Sequence, residues 1–153
     1  MDKPQASRIA SIDFGLARLG VALSDPSKII ASPLMTITAE KRSEQTAAKV
    51  IRELTLHQEC NKYVLEEIII GLPLLLSGKA GLLADEVKHF IELLKKLTSI
   101  PIKTWDERLT TVQAERSMRE DNMSRRRRSK AVDTVSAVII LQSYLDFLSI
   151  RRL

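Results

Sequence analysis

Residues 8–23 read Arg8-Ile9-Ala10-Ser11-Ile12-Asp13-Phe14-Gly15-Leu16-Ala17-Arg18-Leu19-Gly20-Val21-Ala22-Leu23, an apolar run that meets an acid and a glycine and then resumes. Arg8 to Asp13 reads as a buried strand, and Gly15 and Gly20 flank a short turn before Val21, Ala22 and Leu23 begin a second. The two form a hairpin. Asp13 stands where the first strand gives way to a glycine, so its carboxylate should emerge at the end of a sheet beside a backbone able to turn sharply.

Working outward, Ile29 to Ile37 is a third strand, interrupted by Pro33 and therefore placed at a sheet edge, where a missing N–H is tolerated. Ser43 precedes a segment in which Ala47, Ile51 and Leu54 recur at helical spacing. Glu67 to Leu72 contains three consecutive isoleucines, the mark of a strand covered on both faces. From Leu83, the positions Val87, Phe90, Ile91, Leu94 and Leu97 line one face of a helix that Pro101 prevents from continuing. Ile102 to Trp105 is strand-like, Thr111 can cap a helix through Met118, and Ala131 to Leu148 closes the chain with a helix apolar nearly all round. Three strands followed by alternating helices and strands predict an α/β fold, a mixed five-stranded sheet with helices on both faces. Ligands in such sheets gather at the carboxyl ends of the parallel strands.

At 153 residues the chain is the size of one domain, 1–153, long enough to bury roughly 70% of the surface its unfolded form exposes. Apolar residues make up 44% and charged residues 28%, which excludes an intrinsically disordered chain. The single Cys60 cannot form an intramolecular disulfide, and with His57 and His89 it makes no zinc site, so a reducing compartment fits. The polar start, Met1 to Arg8, is no signal peptide, and no stretch is read as approaching the ~20 apolar residues of a membrane span; the expectation is a cytoplasmic protein without a membrane partner.

Three acidic sites invite chemistry. Asp13 is one, with a turn-forming Asp as the plainer alternative. Asp106 and Glu107 end another strand before Arg108. Since side chains alternate along a strand, only one of them readily faces the same place as Asp13, leaving the other for Arg108 or for a solvated loop. Asp133 starts the last helix, where capping free backbone donors competes with catalysis. A sheet of this order can bring all three sites together. Carboxylates so gathered repel, and their protonation rises unless a cation holds them. Mg²⁺ or Mn²⁺ suits oxygen ligands, and two such ions about 3.5–4 Å apart can hold a phosphodiester, activate water and stabilise the leaving oxygen.

The histidines lie in predicted helices far in sequence from the acids and read as surface or packing residues. Gly78-Lys79-Ala80-Gly81 lacks the spacing of a nucleotide-binding loop and reads as a mobile loop. The net charge of +5 is matched by Arg125, Arg126, Arg127, Arg128 and Lys130 alone. So local a basic run suits phosphate contacts, with a solvated surface as the alternative. Arg18 and Arg108 join it as candidate nucleic-acid contacts. With 4% aromatic residues, base stacking should not dominate recognition.

Ile9 to Val21, Gly71-Leu72-Pro73-Leu74, Asp106-Glu107-Arg108-Leu109-Thr110-Thr111, and Val132-Asp133 with Ala137 to Leu145 together resemble the YqgF/RuvX family across nearly the whole chain. The Asp106–Thr111 segment is the most specific of these motifs. The chain departs from the family at Leu16, Leu75 and Leu76, apolar where the family is commonly polar. The resemblance implies a ribonuclease H-like fold related to RuvC-type Holliday-junction resolvases, and a nuclease role in maturing the 5′ end of pre-16S ribosomal RNA. Carried over by position, the family's acids fall on Asp13, on Glu107 or Asp106, and on Asp133, with Asp13, Glu107 and Asp133 as the metal ligands. Pre-rRNA is the expected partner, with ribosomal particles behind it, and the chain is expected as a monomer or homodimer.

Three rivals remain in view. Junction-DNA cleavage uses the same chemistry but needs two sites, hence a dimer. An actin-like ATP-binding protein needs two such domains around its nucleotide, for which 153 residues are too few. A noncatalytic RNA- or ribosome-binding module would keep the basic run while the acids serve structure.

Overall fold

The computed structural model describes residues 5–73, 81–109 and 131–152, with backbone alone for 131–133. Its elements are β1 (Ala6–Asp13), β2 (Arg18–Ser24), β3 (Ala31–Thr38), α1 (Ser43–Asn61), β4 (Tyr63–Leu72), α2 (Leu82–Leu97), β5 (Ile102–Asp106), a 3₁₀ turn (Glu107–Leu109) and α3 (Ala131–Arg151). The strands form one five-stranded sheet in the order β3-β2-β1-β4-β5. β1, β2 and β3 pair antiparallel, whereas β4 and β5 run parallel to β1. Pro33 sits on the edge strand β3, opposite Ala22, where the register shifts and a ladder N–H is dispensable. Ser43, expected to stand before the first helix, is instead its first residue; Arg42 takes the capping position, its N–H bonded by the Gln45 side chain.

Two cores flank the sheet, as alternation requires. Ala10, Ile12, Val21, Ile68 and Ile70 point to one side, against Val50 and Leu54 of α1 and Val87, Phe90 and Leu94 of α2. Ile9, Ala22 and Ile69 point to the other, against Ala137, Ile140, Leu141 and Leu145 of α3. The isoleucine run of β4 is thus shared between the cores, the reason its sequence shows no alternation. Contrary to expectation, Thr134–Arg151 does have the length and composition of a membrane-spanning helix. Its packing on the sheet accounts for part of that apolar character, since Ala137, Ile140, Leu141 and Leu145 are buried while Val135, Phe147 and Ile150 are exposed.

The expected helix from Thr111 to Met118, the loop residues Leu75, Leu76 and Gly78 to Ala80, and the basic run Arg125–Arg128 with Lys130 lie outside the described residues.

Candidate active site

Asp13 ends β1 and Glu107 follows β5, both at the carboxyl ends of the parallel strands and on the face covered by α3. On β1, Ile9 belongs to the α3 core, and the Ser11 hydroxyl donates a 2.7 Å hydrogen bond to the carbonyl of Ala137. Alternation carries Asp13 to the same face, where it is 6% exposed. A Cβ on Gly15 would run into the carbonyl oxygen of Arg18, so the tight exit from Asp13 into β2 needs a glycine there.

The registers set the neighbours. Ile12 pairs with Ile70, so the next residues along, Asp13 and Gly71, end side by side. Gly71 pairs in turn with Trp105, and Leu72 with Asp106. Glu107, the first residue past β5, turns back over Gly71. Its Oε1 lies 2.7 Å, and Ile140 Cδ1 2.6 Å, from the point a Cβ on Gly71 would occupy. Glu107 is 1% exposed. Burial, and secondarily the charge of Asp106, push its carboxyl up to about 7.

Asp106 goes the other way. Arg108 grips it through Nε, 3.1 Å from each carboxylate oxygen, and through Nη2 at 2.7 Å from Oδ2, while the Arg108 backbone N–H donates to Oδ1 at 2.9 Å. The hydrogen bond from Arg108 holds Asp106 below the usual carboxylate range against the opposing effect of burial. The choice between the two acids therefore falls on Glu107 as the one turned inward, with Asp106 in the Arg108 pairing that strand alternation anticipates. The Arg108 guanidinium, expected on nucleic acid, is engaged by this ion pair while keeping a third of its side chain exposed.

Asp133 lies one helical turn before Ala137, in the part of α3 that approaches the strand ends. Its side chain lies outside the described residues. Among the described residues no three His, Cys, Asp or Glu side chains form a group able to hold a metal; Asp13 and Glu107 are both buried at the same end of the sheet. Arg18 opens β2, opposite Thr38 at the edge strand. His57 bonds the Tyr63 hydroxyl at 2.8 Å, at the opposite end of β4 from Gly71, and His89 is exposed on α2; both have the surface or packing roles expected of them.

Two residues of the site escaped the sequence reading. Ser11 is a polar residue in an otherwise apolar strand, a signal that could have been read as a tie to a covering helix. Gly71 was noted only as the first residue of the Gly71–Leu74 motif.

This arrangement has counterparts. A family model described as "RuvX: Holliday junction resolvase" matches residues 7–147. A protein of Protochlamydia amoebophila named "Putative pre-16S rRNA nuclease" is 61% identical over 145 residues, 95% of this chain and 97% of that one. T. thermophilus RuvC, solved in complex with Holliday junction substrate, aligns with a TM-score of 0.58 at 12% identity, over 94% of this chain and 96% of that one. The Holliday junction resolvase of fowlpox virus aligns with a TM-score of 0.52 at 15% identity, over 92% and 99%. At such identities the two structures speak for the fold alone, which is the ribonuclease H-like fold of RuvC-type resolvases. Matched by the family model over nearly its whole length and by a relative at 61% identity, the chain belongs to the RuvX family.

Proposed function

We propose that this chain is a divalent-metal-dependent endonuclease that hydrolyses phosphodiester bonds of pre-16S rRNA, acting in the cytoplasm on precursor RNA or ribosomal particles. The observation that carries the reading is the burial of Glu107 over Gly71, next to the end of β1 where Asp13 stands. Two carboxyl groups buried at the same end of the sheet, those of Asp13 and Glu107, are an uncommon use of interior space and mark a candidate site. Their oxygens suit Mg²⁺ or Mn²⁺, and Asp13, Glu107 and Asp133 are the residues that would hold it. A divalent ion bound there supplies the charge that activates water and stabilises the leaving oxygen. To serve as a ligand Glu107 would give up its proton, while α3, through Ile140 beside Glu107, would keep bulk solvent away and Asp106 orients Arg108 at the rim. Arg18, Arg108, Arg125 to Arg128 and Lys130 bind backbone phosphates. The RNA substrate is carried over from the name of the Protochlamydia relative.

The test sets wild-type protein, Asp13→Asn and Glu107→Gln against a precursor 16S RNA fragment and a four-way DNA junction, with Mg²⁺ or with EDTA. RNA cleavage requiring Mg²⁺ is expected, with each variant slower by at least about 10²-fold at undiminished RNA binding. Cleavage of the junction alone, by a dimer, makes the chain a resolvase; RNA binding without cleavage makes it a noncatalytic module. Replacing Arg125 to Arg128 with Ala should weaken RNA binding and flatten its salt dependence, and unchanged binding removes the basic run from the reading.

A further inference from the structure

Gly71 is the point where two buried side chains from distant parts of the chain converge. Glu107 Oε1 and Cγ lie 2.7 Å and 3.2 Å from where its Cβ would be, and Ile140 Cδ1 lies 2.6 Å away. Glu107 is borne past β5, whereas Asp13 ends β1, and β4 lies between those strands. An acid following β5 reaches the neighbourhood of β1 by crossing over β4. A side chain at position 71 would stand in that path.

We propose that Gly71 is a positioning residue whose bare α-carbon seats the Glu107 carboxylate, allowing an acid from beyond β5 to act beside Asp13 across the intervening strand. This rests on the metal-dependent reading and specifies how one of its ligands is delivered. Gly71 lies within the paired part of β4, in backbone that alanine adopts without strain. The contacts an added methyl meets are side-chain atoms, the ends of Glu107 and Ile140 together with Glu107 Cγ, and no backbone atom is among them. The response is therefore displacement of the Glu107 carboxylate, of Ile140 Cδ1, or of both, with the sheet retained.

The test separates these responses with Gly71→Ala, Ile140→Val, the double variant and Glu107→Gln, each measured for Mn²⁺ binding by calorimetry, thermal melting in EDTA, and kcat and KM on RNA. Ile140→Val removes the Cδ1 atom in the way but leaves Glu107 untouched. Gly71→Ala should weaken Mn²⁺ binding by about 10- to 100-fold and lower kcat with KM for RNA little changed. The double variant should melt like Ile140→Val yet keep the Mn²⁺ defect. Recovery of wild-type Mn²⁺ affinity in the double variant overturns the proposal, since Gly71 would then merely make room for Ile140. A stability cycle covers variants that bind poorly for want of folding: Gly71→Ala should cost less melting temperature in a Glu107→Ala background than alone, and an equal cost overturns the seat. If Glu107→Gln binds Mn²⁺ as the wild type does, the metal reading itself fails, whatever Gly71 does.

Discussion

The two faces of the sheet are built from the same strands but do different work. Toward α1 and α2, alternate residues of β1 and β4 enter a core of Ile, Leu, Val, Ala and Phe side chains, closed at its far end by Tyr63. Toward α3, the same strands present Ser11, Asp13 and the bare Gly71, and Glu107 folds in over Gly71. Both faces carry an apolar core, but among the described residues it is the α3 face that also takes in buried carboxyl groups. Because strand residues alternate, a single eight-residue strand supplies both faces without compromise.

Breaking the first face should have the largest effect on stability. Leu94→Ala, in the fully buried row of α2, should lower unfolding free energy by about 2–5 kcal/mol in a denaturant titration, with Mn²⁺ affinity of the folded fraction unchanged. A loss of Mn²⁺ affinity there would mean that the faces are coupled.

On the second face the sign reverses. The folded chain holds on Glu107, between pH 4.5 and about 7, a proton that the unfolded chain has already released. Its contribution is therefore fully present below pH 4.5 and is lost as pH rises through about 7. Metal-free protein should lose stability over that window by an amount on the order of 3 kcal/mol at most. Glu107→Gln should flatten the profile and be the more stable protein above pH 7 in EDTA; a wild-type profile without this decline would mean that Glu107 is not held protonated.

The smallest effect is expected from Ser11→Ala. The Ala137 carbonyl keeps its place in the helix, so losing the Ser11 hydrogen bond should cost only about 1 kcal/mol. Since that bond fixes α3 over β1, turnover should fall by more than the melting temperature suggests. Undiminished turnover would show that other contacts set the height of α3.

How far the chain could be read without its fold differs residue by residue. β4 was recognised from Glu67 onward, but it starts at Tyr63, because its first half alternates, with Tyr63 and Leu65 buried and Val64 and Glu66 exposed, and the isoleucine run drowned that weaker pattern. The edge position of Pro33 and the two-sided burial of the isoleucines were legible, since both follow from local backbone chemistry. Asp13 and Glu107 were legible as acids at strand ends. Which of Asp106 and Glu107 turns inward was not, for alternation says only that they diverge.

The sequence by itself determined the order of the described elements and, through its motifs, the family. Hydrophobic periodicity and turn chemistry are local properties, and motifs are contiguous strings. Tertiary structure alone decided that Glu107 turns in, that Asp106 is spent on Arg108, and that a glycine inside β4 lies beneath a carboxyl group. Those outcomes depend on β4 lying between β1 and β5 with Gly71 in register beside both, a relation among residues far apart in the chain that exists only once the sheet has closed.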